Sequence, residues 1–242
     1  VSNRVAIVTG GSRGIGRGIV GRLAAQGYEV VVGYASDADE AAAAVKDAVR
    51  AGAEATAFRA DVADDVAVAE MFAEARSQFG GVDVVVHAAA RMIMGTIEET
   101  DLGELDALYR TNVRGSFVVA QQAARHVRDG GSIQMFSSSA TKAHLPGYGA
   151  YTATKAAVEA MTLILARELR GRNVTVNTVA PGVTATDMLF ENETDESLAG
   201  MVAATPLGRL GEVADIAEVA AFLASPEGHW VNGQTVHANG GL

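Results

Sequence analysis

Short apolar runs alternate with longer amphipathic ones along the whole chain. VAIVT (5–9), EVVVG (29–33), ATAFRA (55–60), VDVVVHA (82–88), SIQMF (132–136), VTVNTV (174–179) and QTVHA (234–238) read as strands. Between them lie helical patterns such as DEAAAAVKDAVRAG, in which Gly52 stands where a helix C-cap would end the segment. Strand followed by helix at this rhythm predicts repeated βαβ units, and therefore a parallel sheet with helices on both faces. Runs such as VVVG are apolar on both sides of the pleat, as a doubly covered sheet requires. The expectation is one doubly wound α/β domain over residues 1–242, with about seven strands. No Pro- or Ser-rich linker interrupts the pattern, and nothing repeats beyond the βαβ rhythm itself.

Composition narrows the function classes. Apolar residues make up 49% of the 242, enough for one large buried sheet. No apolar run reaches the roughly 18 residues of a membrane span. A net charge of −10 would repel nucleic-acid phosphates, and no basic stripe offsets it. The absence of cysteine excludes a disulfide framework and a thiolate metal site, and it fits a reducing cytosol. The chain enters a strand pattern by Val5 without the features of a signal peptide. His126, His144, His229 and His237 show no metal-ligand spacing. These features predict an acidic, soluble, cytoplasmic protein with neither nucleic acid nor membrane as partner.

The first chemistry-bearing stretch is TGGSRGIG (9–16), placed between the first strand and the first helix. A doubly wound sheet there offers free helix N–H groups to a phosphate, and glycines let the backbone approach a pyrophosphate. The reading is Thr9-Gly10-x-x-x-Gly14-x-Gly16, with Ser12, Arg13 and Ile15 in the same turn. Its plain alternative is a merely tight βα turn. A literal G-x-G-x-x-G at Gly16-Arg17-Gly18-Ile19-Val20-Gly21 lies too far into the helix to be the phosphate turn.

The second stretch is GYGAYTATKAAV. Tyr151 and Lys155, four residues apart on a helical pattern, share a face, and Ser138 lies upstream, just beyond the fifth strand. Here the chain resembles the short-chain dehydrogenase/reductase superfamily over essentially its whole length. TGGSRGIG, Asp61-Val62, Asn112, Ser138, YTATK and Pro181-Gly182 carry the resemblance in that order. It implies a Rossmann-like fold, a nicotinamide cofactor and a catalytic set of Asn112, Ser138, Tyr151 and Lys155. Tyrosine titrates near ~10, so a lysine ammonium and the oxidised nicotinamide ring would be needed to lower that pKa for proton transfer. Ser138 would donate a hydrogen bond to the substrate oxygen. In the family the lysine also holds the nicotinamide ribose, and the asparagine anchors a water leading to it.

One family element departs from the pattern. Where Asn-Asn-Ala-Gly is usual, this chain reads His87-Ala88-Ala89-Ala90. Ala88 and Ala89 still fall beside the expected cofactor, and His87 either replaces the lost asparagine bracing or is a satisfied structural histidine. For the cofactor, Ala35 occupies the position where NAD-preferring relatives carry Asp, with Ser36 next to it and Arg13 able to meet a 2′-phosphate. That favours NADP(H). A register shift that brings Asp37 to the ribose would favour NAD(H).

After Pro181-Gly182, the resemblance implies a substrate lid over residues 184–211, with Val183 and Thr186 near the nicotinamide. The closest look is to β-ketoacyl carrier-protein reductases and related carbonyl reductases, so the expected substrate is a small-molecule or acyl-thioester carbonyl. The acidic lid weighs against a carrier protein, whereas Arg125, Arg128 and Arg172 offer it a docking patch. The expected activity is NADPH-dependent reduction of a ketone. NAD-dependent oxidation of a hydroxyl compound, or a non-catalytic dinucleotide-binding regulator on the same fold, are the alternatives. Apolar spacing in FVVAQQA and VEAMTLILA, together with the resemblance, points to a homotetramer.

Overall fold

The computed structural model describes residues 4–242. Its strands are β1 (Arg4–Thr9), β2 (Tyr28–Tyr34), β3 (Ala55–Arg59), β4 (Val84–His87), β5 (Ser132–Phe136), β6 (Thr175–Pro181) and β7 (Thr235–Ala238). They form one sheet in the order β3-β2-β1-β4-β5-β6-β7, and every pairing is parallel. Each apolar run read from the sequence is one of these strands. The helices are α1 (Gly14–Ala25), α2 (Ala38–Arg50), α3 (Asp65–Phe79), α4 (Leu102–Tyr109), α5 (Gly115–His126) and α6 (Ala140–Ala143). They continue with α7 (Gly149–Glu168), α8 (Asp187–Phe190), α9 (Asp195–Ala204) and α10 (Val213–Ala224). A π-helical turn, Arg110–Arg114, joins α4 to α5.

The two faces of the sheet follow from the pleat. Val5 and Ile7 pack with Met71 and Phe72 of α3, Val119 of α5 and Val158 of α7. Their neighbours Ala6 and Val8 turn the other way, onto Ile19 and Leu23 of α1 and Ile216 and Leu223 of α10. All twelve of these side chains are at most 1% exposed, so the central strands are apolar on both faces because both are covered. No helix among the described residues is long and apolar enough to cross a membrane.

Two details of this packing set up the site. The literal G-x-G-x-x-G lies inside α1, and a Cβ on Gly18 would stand 2.2 Å from Val213 Cγ1. That glycine lets α10 approach α1. Strand order reverses at β1, whose neighbours β2 and β4 are reached over opposite faces, and this opens a crevice at the carboxyl ends of the two central strands.

Candidate active site

α2, α3 and α4 begin on aspartates whose carboxylates accept backbone N–H bonds: Asp37 from Glu40, Asp64 from Val66 and Ala67, Asp101 from Glu104. Such caps satisfy donors that the helix itself cannot. α1 differs. It has no side-chain cap and no acidic residue in its first turn, so its own first turn offers the N-terminal dipole no anion. The turn before it needs its glycines. Gly10 has φ +68°, and a Cβ there would lie 2.8 Å from the Ala89 backbone; on Gly16 it would lie 2.0 Å from the Gly10 carbonyl oxygen.

The crevice is a cleft of about 720 Å³. Gly10, Ser12, Arg13, Gly14, Ile15 and Gly16 line it from the turn, and Ser36, Asp61, Val62, Ala88 and Ala89 from the ends of neighbouring strands. Pro181, Gly182, Val183 and Thr186 close it from the end of β6 and the segment beyond, and Ser138, Tyr151 and Lys155 line it as well. The structure therefore brings all of these expected residues together. A cradle of close backbone, an uncapped helix start and unpaired cations suits a dinucleotide in its chemistry. No cluster of His, Asp or Glu that could hold a metal occurs among the described residues.

Asn112 is the exception. It is buried, does not line the cleft, and sits in the π-helical turn. Its Oδ1 accepts from the Arg91 amide (2.8 Å), and its Nδ2 donates to the Arg91 carbonyl (2.9 Å) and to Thr154 Oγ1 (3.1 Å). The side chain thus clamps the segment after β4 to α7, one turn from Tyr151. The Asn112 side chain holds its neighbours in position and stands outside the cleft lining.

The central triad has a defined electrostatic setting. Lys155 Nζ donates to the Phe136 carbonyl (2.9 Å) and lies 5.6 Å from the centre of the Tyr151 ring. Burial lowers Lys155 to about 8 and pushes Tyr151 up to about 12, while a side-chain hydrogen bond with Ser138 pulls the phenol down. In the chain by itself, desolvation therefore holds the phenol above its ordinary value.

His87 is wired into this centre. Its Nε2 lies 3.0 Å from Ser116 Oγ, which in turn donates to the Asn112 carbonyl (2.5 Å). Since the serine hydrogen is used there, Nε2 carries the ring proton, and Nδ1 accepts from Thr9 Oγ1 at 2.7 Å. Burial, with the Lys155 charge adding to it, lowers the ring to about 3, so it is neutral. The histidine braces β1, β4 and the start of α5, the bracing role left open for it in the sequence.

At the cofactor end, Asp37 lines the cleft, and its Oδ1 accepts from Glu40 N (2.9 Å) as the cap of α2. Asp37-x-x-Glu40 was readable as a capping signal. Arg59, which the sequence reading missed, leaves β3 beside Tyr34 and donates from Nε to the Ala35 carbonyl at 3.0 Å. Among the described residues, Arg13 and Arg59 have no carboxylate within ion-pair distance, whereas nearby Arg17 is paired with Glu40 and Asp47.

Residues 184–211 form a loop pinched at its base. Thr184 bridges Gly211, and the Gly211 amide donates to the Val183 carbonyl at 2.8 Å. The loop carries α8 and α9 and is tied to the start of α7 by Tyr148, whose hydroxyl donates to Glu193. Burial and that carboxylate push the Tyr148 phenol far up.

Known proteins are similar to this chain along its length. The family described as enoyl-(acyl carrier protein) reductase matches residues 10–242. A protein of Picea abies named short-chain type dehydrogenase/reductase is 43% identical, over 100% of this chain and 93% of its own. An Arabidopsis thaliana protein named NADPH-dependent aldehyde reductase-like protein, chloroplastic, is 40% identical, over 100% and 94%. Among solved structures, a blue fluorescent protein from a metagenomic library in complex with NADPH superposes with TM-score 0.91 at 40% identity, covering 98% of this chain and 97% of that one.

Proposed function

The chain belongs to the short-chain dehydrogenase/reductase family and is an oxidoreductase, and from that premise we propose that it reduces a ketone to a secondary alcohol with NADPH. The observation that carries this reading is the convergence of Ser138, Tyr151 and Lys155 in one cleft with the uncapped start of α1.

NADPH, when bound, supplies the hydride. The N–H groups at the start of α1 would hold its pyrophosphate, and Arg13 and Ser36 its 2′-phosphate. Arg59 fixes the Ala35 carbonyl and so holds the loop on which Ser36 stands. Ser138 donates a hydrogen bond to the carbonyl oxygen, where negative charge gathers. The Tyr151 hydroxyl gives that oxygen a proton as the carbonyl carbon becomes tetrahedral. With a pKa of about 12 the phenol is protonated at neutral pH, the form a proton donor needs. Lys155, at about 8, is mostly ammonium there and opposes the cost of the phenolate left behind. Solvent returns the proton to Tyr151.

Asp37 is committed to capping α2, which weighs against its service to an NAD ribose. A binding regulator has no need of the intact Ser138, Tyr151 and Lys155. The reading extends to a cytoplasmic location and to a homotetramer built on α5 and α7.

The test is kcat/KM with NADPH and with NADH for wild type, Arg13→Ala and Asp37→Ala, over a panel of ketones. A charge-assisted bond of about 1.5–3 kcal/mol predicts that Arg13→Ala weakens NADPH about ten- to a hundredfold and leaves NADH nearly unchanged. Asp37→Ala should keep the NADPH preference and lose only a helix cap, about 1 kcal/mol of stability. A wild-type preference for NADH would contradict the reading.

A further inference from the structure

The cleft that Ser138 and Tyr151 line also has a large apolar lining. Met92, Leu145, Met188, Leu189, Met201 and Leu242 line it, drawn from the segment after β4, the β5–α7 connection, the pinched loop and the chain beyond β7. Leu145 and Leu242 are 41% and 37% exposed, so large apolar groups face an open cleft. Apolar side chains converging beside a reactive hydroxyl mark the part of a site that a ligand covers. Half of the six are methionines, whose unbranched thioethers adapt to irregular shapes and make favourable contacts with aromatic rings.

The charges around this wall are committed elsewhere. Arg91 is paired with Glu104 at 3.0 Å and Arg110 with Asp61 at 2.6 Å. Lys155 Nζ is engaged by the Phe136 carbonyl, and Arg13 stands at the glycine turn. The lining charge at the loop is Asp187, which is negative. A carboxylate or phosphate on the substrate would therefore lose water without gaining a cation. On the outer surface, two of the three arginines read as a carrier-protein patch are also engaged: Arg128 by Asp83 and Arg172 by Asp129.

Resting on the reductase reading above, we infer that the substrate is an uncharged ketone with a bulky apolar, ring-sized substituent, taken as a small molecule and not as an anionic acyl thioester. The methionine wall covers the ring, and Ser138 and Tyr151 engage the one polar atom.

A matched pair tests this: acetophenone and 4-acetylbenzoate share ring and carbonyl and differ by one carboxylate. With the NADPH-loaded enzyme, acetophenone should have at least tenfold higher kcat/KM, mostly through KM, and 2-tetralone should exceed acetone by at least as much. Calorimetry with NADP+ present should show the same order of affinity for the aryl pair. Met188→Lys, which adds a cation to the wall, should move the preference toward 4-acetylbenzoate by at least tenfold. Equal or reversed preference in the wild type, or binding of neither aryl ketone, would overturn the inference. Lack of turnover with every ketone would instead count against the reductase reading, and the binding order would still decide the inference.

Discussion

His87 is buried with both ring nitrogens engaged by hydroxyls, an arrangement that holds only for the neutral ring. Its pKa of about 3 in the folded chain lies below the ordinary value of 6.5. Between those values the unfolded chain takes up a proton that the folded chain refuses, so stability is lost as pH falls through this window. His87→Asn removes the titrating group, and urea midpoints at pH 7 and pH 4 should fall less for the variant than for wild type, by a few kcal/mol once converted with the denaturant slope. An equal loss in both would contradict the neutral, doubly bonded ring. The local pattern named the residues whose chemistry is carried by type and spacing: Ser138, Tyr151, Lys155 and the glycine turn. It was silent on His87's partners because Thr9 is 78 residues away, and on Arg59 because its partner, Ala35, lies just beyond the end of the adjacent strand. Asn112 was found by position, but its amide partners, the Arg91 backbone and Thr154, are long-range neighbours and were not legible.

At the level of elements, the period of the apolar pattern was enough for the strands and for the long helices, whose buried faces repeat many times. It could not resolve α6, α8 and α9. These short helices hang on caps and loop contacts such as Thr186 with Leu189 and Thr194 with Ser197, and they bury little of their own. The π-helical turn was equally hidden, because it changes a hydrogen-bond register and leaves the apolar spacing almost intact. Within α1, two neighbouring glycines make opposite predictions. Gly18→Ala puts a methyl 2.2 Å from Val213 Cγ1 in the α1–α10 contact and should destabilise the chain by about 1–3 kcal/mol. Gly21→Ala meets nothing within 4 Å and should stabilise it by roughly 0.5–1 kcal/mol, as a glycine-to-alanine change in a helix interior does. Thermal or urea unfolding of the two variants separates a packing glycine from a merely tolerated one; equal effects would contradict the assignment.

On the scale of the whole molecule, the outer faces of α5 and α7 keep apolar side chains in solvent: Phe117 is 60% exposed, with Leu163 and Ile164 exposed as well. A homotetramer with twofold axes would cover them, pairing each helix with its symmetry mate. Light scattering at micromolar concentration should give four times the 24.9 kDa chain mass, and Phe117→Glu with Leu163→Glu should lower it. A monomeric wild type would contradict the assembly while leaving the cleft, built within one chain, unaffected. The central claim is the proton path through that cleft. Its most direct test is Tyr151→Phe, which deletes one hydroxyl: in one preparation, NADPH affinity is measured by fluorescence titration and ketone reduction by loss of NADPH absorbance. The account predicts affinity within a fewfold of wild type and at least a hundredfold slower reduction; a variant that reduces ketone at close to the wild-type rate would contradict it.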